Sequence, residues 1–421
     1  MTTLITFGII FLAIIGTPIF VIMGLVALTA FTFAGIEVSA VAVEIYKVAS
    51  APTLLTIPLF SFAGYMMAES QTPKRLFRLA DAALGWMPGG VAIVGLFVCA
   101  FFTAFTGASG ITIVALGGLL YPILRKEEFS ENFSLGLITT SGSLGLLFAP
   151  SLPIILYGLI SHTDIDKLFK AAIIPGILLL IILSVYSIYI GKNKKKVVAS
   201  VFSWNELWES FKGAFWEILL PFAILIGIYG GITTVTEAAT LTAFYVLIIE
   251  CFIYKDLTLT QDIPRVIKDT MALVGAILLI LCCAMGVTNY LVDEQVPMKI
   301  LALMKLYIHS KYTFLLFLNL LLIIVGMMMD IFSAIIVVVP LILPVAREFG
   351  VDPIHLGIIF LTNLEIGYLT PPVGVNLFIS SFRFKKTIQE VTLATLPFIF
   401  LLFIALMIIT YIPALSLIWI R

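Results

Sequence analysis

Apolar residues along this chain come in long runs, bounded by charges, near residues 4–34, 50–70, 89–124, 133–160, 170–191, 216–254, 271–292, 313–346, 353–382 and 388–418. About 20 apolar helical residues cross a bilayer, so several runs are too long for one crossing. In hydrocarbon every backbone polar group needs an internal partner, and the two-residue alternation of a barrel is absent, so the runs predict helices. Gly16-Thr17-Pro18 divides the first run, and Gly230-Gly231 followed by ITTVTEA divides the sixth, predicting two helices in each. Segments 72–87, 202–214 and 297–309 mix apolar residues with charges at helical spacing. They predict helices lying along the interface, with Trp204 and Trp208 as anchors of the second.

Composition sharpens this picture. Of 421 residues 61% are hydrophobic and only 11% charged, against about a quarter charged in soluble domains. A water-soluble protein is excluded. Lys+Arg and Asp+Glu number 24 each, so no basic surface is available for nucleic acid. The chain reads as one polytopic membrane domain, 1–421, whose solvent is the lipid bilayer. No cation precedes the first apolar run, and Lys47 is the first in the chain, so a cleaved signal peptide is not expected. Cys99, Cys251, Cys282 and Cys283 lie in apolar runs without metal-binding spacing and read as core thiols.

Cations are retained on the cytoplasmic side of a membrane protein. The run Lys192, Lys194, Lys195 and Lys196 is placed inside, and runs 89–124 and 313–346 are taken as hairpins that re-emerge on their side of entry. Sixteen of the 24 cations then fall inside, Arg75, Arg265, Lys268 and Lys386 among them, and both termini lie outside.

The two halves carry matching punctuation. A shift of 221 residues sets Pro371 of YLTPPVG on Pro150 of LFAPSLP, Gly357 on Gly136, and Asp330 on Ser109. The first repeat covers 1–191, with a hairpin near 89–124 and a broken helix near 133–160. The second covers 202–421, with a hairpin near 313–346 and a broken helix near 353–382. The charge-derived topology brings the two hairpins in from opposite faces. Inverted repeats with interrupted helices at matching positions point to a secondary transporter with a site at the membrane midplane.

The first hairpin turns at Thr106-Gly107-Ala108-Ser109-Gly110 and faces residues 141–153. The second turns near Met329–Ser333 and faces residues 363–376. Proline frees the carbonyl one turn earlier, and such carbonyls, with Ser and Thr hydroxyls, are the hard oxygen ligands that Na⁺ takes. Half-helix N-termini opposite them suit an anion. Asp330, deep in apolar sequence, reads as a cation ligand, the alternative being a helix cap. Glu365 can coordinate, carry a proton or pair with a neighbour. Asn363, Thr370 and Asn376 are ligands or satisfy the broken backbone, Asn376 with more structural character. Glu237 reads as a helix-start cap with Thr236, and Glu44 and Glu217 as solvated or scaffold residues near interfaces. His162, His309 and His355 fall in loops or at helix ends and read as solvated, which leaves no histidine proton relay. The sequence has no HExxH, phosphate loop or GxSxG elbow. An enzyme or ATP-driven pump is therefore not expected, and a passive channel is the main alternative to a carrier.

At FTAFTGASGITIVALGGLLYPIL and FSLGLITTSGSLGLLFAPSLPIILYG, and again at MDIFSAIIVVVPLILPVA and HLGIIFLTNLEIGYLTPPVGVNLF, the chain resembles the large membrane subunit of tripartite ATP-independent periplasmic (TRAP) transporters. The resemblance covers essentially the whole chain. It implies an all-α, elevator-type carrier with scaffold and transport domains. It also implies Na⁺-coupled import of an organic acid, such as a C4-dicarboxylate or sialic acid, across a bacterial inner membrane. Two partners are implied, a periplasmic substrate-binding protein and a small four-helix membrane subunit on a separate chain. Carried onto matching positions, a first Na⁺ site uses Thr106, Gly107, Ser109, Ser141, Gly145 and Pro150. A second uses Gly326, Asp330, Asn363, Thr370 and Pro371. Substrate then lies between the hairpin tips, with Ser143, Glu365 and Asn376 as candidate contacts.

Overall fold

The computed structural model describes residues 8, 9, 11, 12, 15, 17–35, 37, 39, 42, 43, 46, 50, 52–192, 202–308 and 310–420. Gly16, Glu44, Lys47, Lys194–Lys196 and His309 lie outside them. All the regular secondary structure of the described residues is helical. After Pro18 come α1 (Ile19–Phe33), α2 (Thr56–Glu69) and α3 (Thr72–Leu84), the last with Pro73 in its first turn. Hairpin 1 is α4 (Gly90–Thr106) and α5 (Ser109–Lys126). The first broken helix is α6 (Glu131–Ser141), a 3₁₀ turn at Leu144–Leu147, and α7 (Leu152–Ser161); α8 (Ile165–Lys192) closes the first half.

The second half opens with α9 (Trp204–Gly213), α10 (Phe215–Tyr229), α11 (Val235–Ile248), α12 (Asp262–Asp293) and α13 (Val296–Tyr307). Hairpin 2 is α14 (Lys311–Met328) and α15 (Ile331–Glu348). The second broken helix is α16 (Pro353–Gly367) and α17 (Val375–Phe384), followed by α18 (Ile388–Tyr411) and α19 (Ala414–Leu417). Six of these helices are long and apolar enough to cross a membrane, and eight if α6–α7 and α9–α10 each count as one bent span. Hairpin arm α4 and half-helix α16 are shorter apolar helices.

The halves interlock reciprocally. Helix α1 packs on α12 and α2 on α11, α6 on α18 and α16 on α8, α7 on α15 and α17 on α5. The repeat register is 222, one residue beyond the match drawn from the prolines. Helices α5 and α15 start at Ser109 and Ile331, Ser130 and Asp352 cap α6 and α16, and the cis X-Pro bonds precede Pro150 and Pro372. Pro150 therefore matches the second proline of the Pro-Pro pair, and Asp330 matches Ala108 rather than Ser109. In a helix, one residue of slip turns a side chain by 100°, so the correction matters for the tips.

Three other expectations change and one is narrowed, since of the two roles read for Glu217, solvated or scaffold, the scaffold one holds. Glu217 is buried: Arg75 donates to it through Nε, and Tyr254 Oη donates to it at 2.8 Å. Arg75 also reaches Asp256 at 2.8 Å and Glu250 at 3.3 Å and lies over the Tyr254 ring, so one guanidinium holds α3 against α10 and the end of α11. His355 is buried as well, with Nδ1 3.2 Å from Ser416 Oγ and Nε2 3.2 Å from the Thr410 carbonyl. Glu237 does cap α11, but its partner in the reciprocal box is Thr234, whose Oγ1 lies 3.0 Å from Glu237 Oε2. Of the cysteines, Cys99 alone is fully buried. Each ion pair between described residues joins two positions on the same side of the charge-derived topology, including Arg265–Glu69, Lys386–Glu131 and Lys305–Glu348.

Candidate functional site between the hairpin tips

Both hairpins turn where the chain cannot continue a helix. Gly107 ends α4 at φ +64°, a left-handed conformation that glycine adopts without strain. Asp330 starts α15, its carboxylate accepting from the Phe332 and Ser333 amides at 3.0 and 3.1 Å and from the Ser333 hydroxyl. The expected alternative for Asp330, a helix cap, is thus present, and the residue is also exposed. The equivalent Ala108 gives α5 no side-chain cap. The first amides of α5 are therefore left free of a side-chain acceptor, an arrangement that favours an anion.

The breaks are shaped by close backbone contact. A Cβ at Gly145 would collide with Ala100 and Ala104 of α4, and one at Gly367 would lie 2.5 Å from Gly326 of α14. These glycines, 222 residues apart, let each broken helix cross its own hairpin where helical pairing ends. Around the second break the Val373 and Gly374 amides donate to the Met327 carbonyl at 3.3 and 3.2 Å, and the Ile331 amide donates to Tyr368 Oη at 2.6 Å. Across the halves Ser109 Oγ donates to Asn376 Oδ1 at 2.7 Å, and Asn376 Nδ2 donates to the Thr139 carbonyl at 3.2 Å. Asn376 thus fastens the tip of hairpin 1 and the first broken helix to the start of α17.

A cavity of about 690 Å³ lies between these parts. Gly107–Ile111 and Asp330–Phe332 bring the two tips to its wall, Leu146 and Tyr368 the two breaks, and Val375 and Ile379 α17. Tyr65 and Glu69 of α2 and Asp269, Leu273, Ile277 and Ile280 of α12 face them. Exposed Glu69 and Asp269 stand at its rim, where Arg265 bonds Glu69 at 2.8 Å.

The structure sorts the sequence-predicted residues into groups. Gly107, Ser109 and Asp330 meet at the cavity. Thr106, Ser141, Ser143 and Gly145 are buried behind hairpin 1, and Pro150 follows the cis bond. The Ser141 hydroxyl donates to the Ile138 carbonyl and that of Ser143 to the Thr140 carbonyl, both at 3.2 Å. Gly326 lies at the α14–α16 crossing, and Thr370 Oγ1 bonds the Ile366 carbonyl at 2.8 Å, next to Pro371. Asn363 Nδ2 donates to Asn319 Oδ1 at 2.8 Å, while its buried Oδ1 has no hydrogen-bond partner among the described residues, an acceptor of the kind a cation takes. Glu365 is 1% exposed, and among the described residues neither carboxylate oxygen has a hydrogen-bond partner, so it pairs with none of them. Ser143, Glu365 and Asn376 are not on the cavity wall.

The scaffold wall of the cavity was missed. It has a signal: Asp269, Leu273, Ala276, Ile277 and Ile280 recur every three or four residues and form one face of α12. Only Asp269 precedes the run of 271–292, because the helix begins at Asp262; the other four lie inside that apolar run, where no local signal tells the face that meets the cavity from the rest.

Comparison with known proteins places this geometry. The chain is 36% identical over 391 residues to the "C4-dicarboxylate TRAP transporter large permease protein DctM" of Pseudomonas aeruginosa, covering 93% of this chain and 91% of that one. It is 36% identical over 410 residues to the "Isethionate TRAP transporter permease protein DctMQ" of Oleidesulfovibrio alaskensis; the match covers 95% of this chain and spans 63% of that protein's length. It is 33% identical to the "Ectoine/5-hydroxyectoine TRAP transporter large permease protein UehC" of Ruegeria pomeroyi, with 83% and 82% of the chains covered. The crystal structure of the Alcanivorax borkumensis YdaH transporter shares the fold, with a TM-score of 0.62 over 89% of this chain and 87% of that one at 14% identity. The family described as "Tripartite ATP-independent periplasmic transporter, DctM component" matches residues 6–415. The polytopic helices, the paired hairpins and breaks and these relatives agree: the chain belongs to the DctM family of TRAP transporter large permease subunits.

Proposed function

We propose that the chain is a Na⁺-coupled importer of a small organic acid in a bacterial inner membrane. The observation that carries this reading is the cavity closed by both hairpin tips, both breaks and the scaffold helices α2 and α12. Substrate carboxylate meets the uncapped start of α5 at Ser109, Gly110 and Ile111. Na⁺ is the co-transported ion. The first site is built at Thr106, Gly107, Ser109, Ser141, Gly145 and Pro150, and the second at Gly326, Asp330, Asn363, Thr370 and Pro371. The unpartnered Asn363 Oδ1 supports the second.

With the charge-derived topology, the rim at Glu69 and Asp269 faces the cytoplasm, so the cavity opens inward. The two repeats run in opposite senses, and the hairpins and broken helices move as a body against α1, α2 and α10–α12 in an elevator cycle. A periplasmic binding protein delivers substrate from outside, and a small four-helix subunit completes the scaffold. The substrate class is supported by the names of the relatives, which span a C4-dicarboxylate, a sulfonate and ectoine.

The test is uptake into proteoliposomes holding this chain with its small subunit, under an inward Na⁺ or K⁺ gradient, with and without binding protein. Uptake that needs both Na⁺ and the binding protein is expected. Uptake indifferent to both would replace this reading with a binding-protein-independent anion carrier or channel.

A further inference from the structure

The Asn363 side chain does not take its orientation from its own helix alone. Its Nδ2 donates to the Ile359 carbonyl one turn back and across to Asn319 Oδ1 of α14, both at 2.8 Å. A backbone carbonyl only accepts, so the Ile359 bond requires the amide nitrogen on that side and leaves Oδ1 on the other. Asn319 then offers its oxygen to Asn363 and its nitrogen outward, where Nδ2 donates to Thr410 Oγ1 of α18 at 3.1 Å. The Thr410 carbonyl is itself held, 3.2 Å from His355 Nε2. Asn319, Asn363, Thr410 and His355 are all buried.

These bonds form one directed chain. The Ile359 carbonyl fixes which way the Asn363 amide points, Asn319 holds it there from the hairpin arm, and Thr410 holds Asn319 from α18. Gly326 follows Asn319 by seven residues, two helical turns, and so lies on the same face of α14. The amide pair and the close glycine crossing are therefore two points of a single α14–α16 contact. The 222-residue register sets Ser141 at the place of Asn363 and exposed Phe97 at that of Asn319, so the amide pair belongs to the second half alone. Without Asn319 a buried Nδ2 hydrogen has no acceptor, which favours a turned amide over the present one. A ligating oxygen must hold position to about 0.5 Å, so even a small turn weakens coordination.

We infer that Asn319, held by Thr410, is the positioning residue of the second Na⁺ site: it touches no ion, but it fixes the Asn363 amide so that Oδ1 is offered to the cation. This rests on the assignment of Asn363 to that site in the reading above.

Calorimetric titration of Na⁺ into the detergent-purified full chain in K⁺ buffer tests it, with thermal unfolding in the same buffer reading any general loss of stability separately. Asn363→Ala marks the part of the isotherm that belongs to the second site. Asn319→Leu, similar in size but unable to accept, should weaken that part roughly 3- to 10-fold, the worth of one hydrogen bond. Thr410→Val, which loses only the hydroxyl, should shift it in the same direction, and Thr410→Ser, which keeps the hydroxyl, should bind as the native chain does. If N319L does not fold, T410V against T410S decides. Unchanged Na⁺ binding in folded N319L or T410V, with N363A impaired, would overturn the positioning role and leave the ion site standing. Native binding in N363A would overturn both.

Discussion

Adding one methyl group at Gly367 probes the crossing on which the second half of the site depends. In Gly367→Ala the new Cβ lies 2.5 Å from backbone atoms of Gly326, and ordinary contact starts near 3.4 Å, so α14 and α16 must part by about 0.9 Å. Both surfaces are main chain, so no side chain can swing aside. Overpacking of this kind costs about 1–3 kcal/mol. Asn363 lies one turn before the contact, and Asp330 follows Gly326 by four residues, so the displacement falls directly on the second ion site proposed above. Coordinating groups must hold position to about 0.5 Å, so the Na⁺ concentration for half-maximal uptake should rise roughly 5- to 150-fold. The assay is proteoliposome uptake against external Na⁺, with thermal unfolding in parallel. Gly275→Ala, where no described residue lies within 4 Å, is the control and should leave both measurements unchanged. A folded G367A protein with an unaltered Na⁺ curve would refute the assignment of this crossing to the ion site.

Other substitutions separate roles that the structure superimposes. Asp330→Asn keeps a side chain as good at helix capping as aspartate but removes the charge; apparent Na⁺ affinity should fall with little change in unfolding temperature, and an unchanged Na⁺ response would remove Asp330 from the site. Arg75→Gln leaves Glu217 and Glu250 buried without their cation, a loss of about 3–5 kcal/mol to be read as a lower unfolding temperature; native stability would show that the cluster does not hold α3. Cysteines introduced at Lys268 and Asp164 should be labelled by an impermeant reagent from opposite faces of inside-out and right-side-out vesicles, and same-side labelling would overturn the topology.

Helix positions and both tips were legible because they follow from local signals: apolar run length, glycine-proline breaks, and Ser, Thr or Asp before a helix start. What escaped depends on residues far apart in the chain. Arg75 meets Glu217, Glu250 and Asp256 at separations of 142, 175 and 181 residues, so no window of sequence distinguishes Glu217 from an interfacial glutamate. His355 lies near a helix start, where solvent is the ordinary neighbour, until α18 and α19 cover it. The repeat register slipped because Pro-Pro offers two equivalent anchors, and only the backbone tells which one matches Pro150.

The Asn376 side chain has a consequence for how the protein is made. It bonds Ser109 and Thr139, 267 and 237 residues earlier in the chain. Synthesis must therefore reach position 376 of 421 before the first hairpin tip acquires its final partner. Until then the nascent first half sits in the membrane with that hydroxyl and carbonyl awaiting a residue not yet translated. The reciprocal packing of α1 on α12 and α2 on α11 imposes the same delay on the scaffold. The amino-terminal half thus precedes, during synthesis, the residues that complete both its first hairpin tip and its scaffold packing.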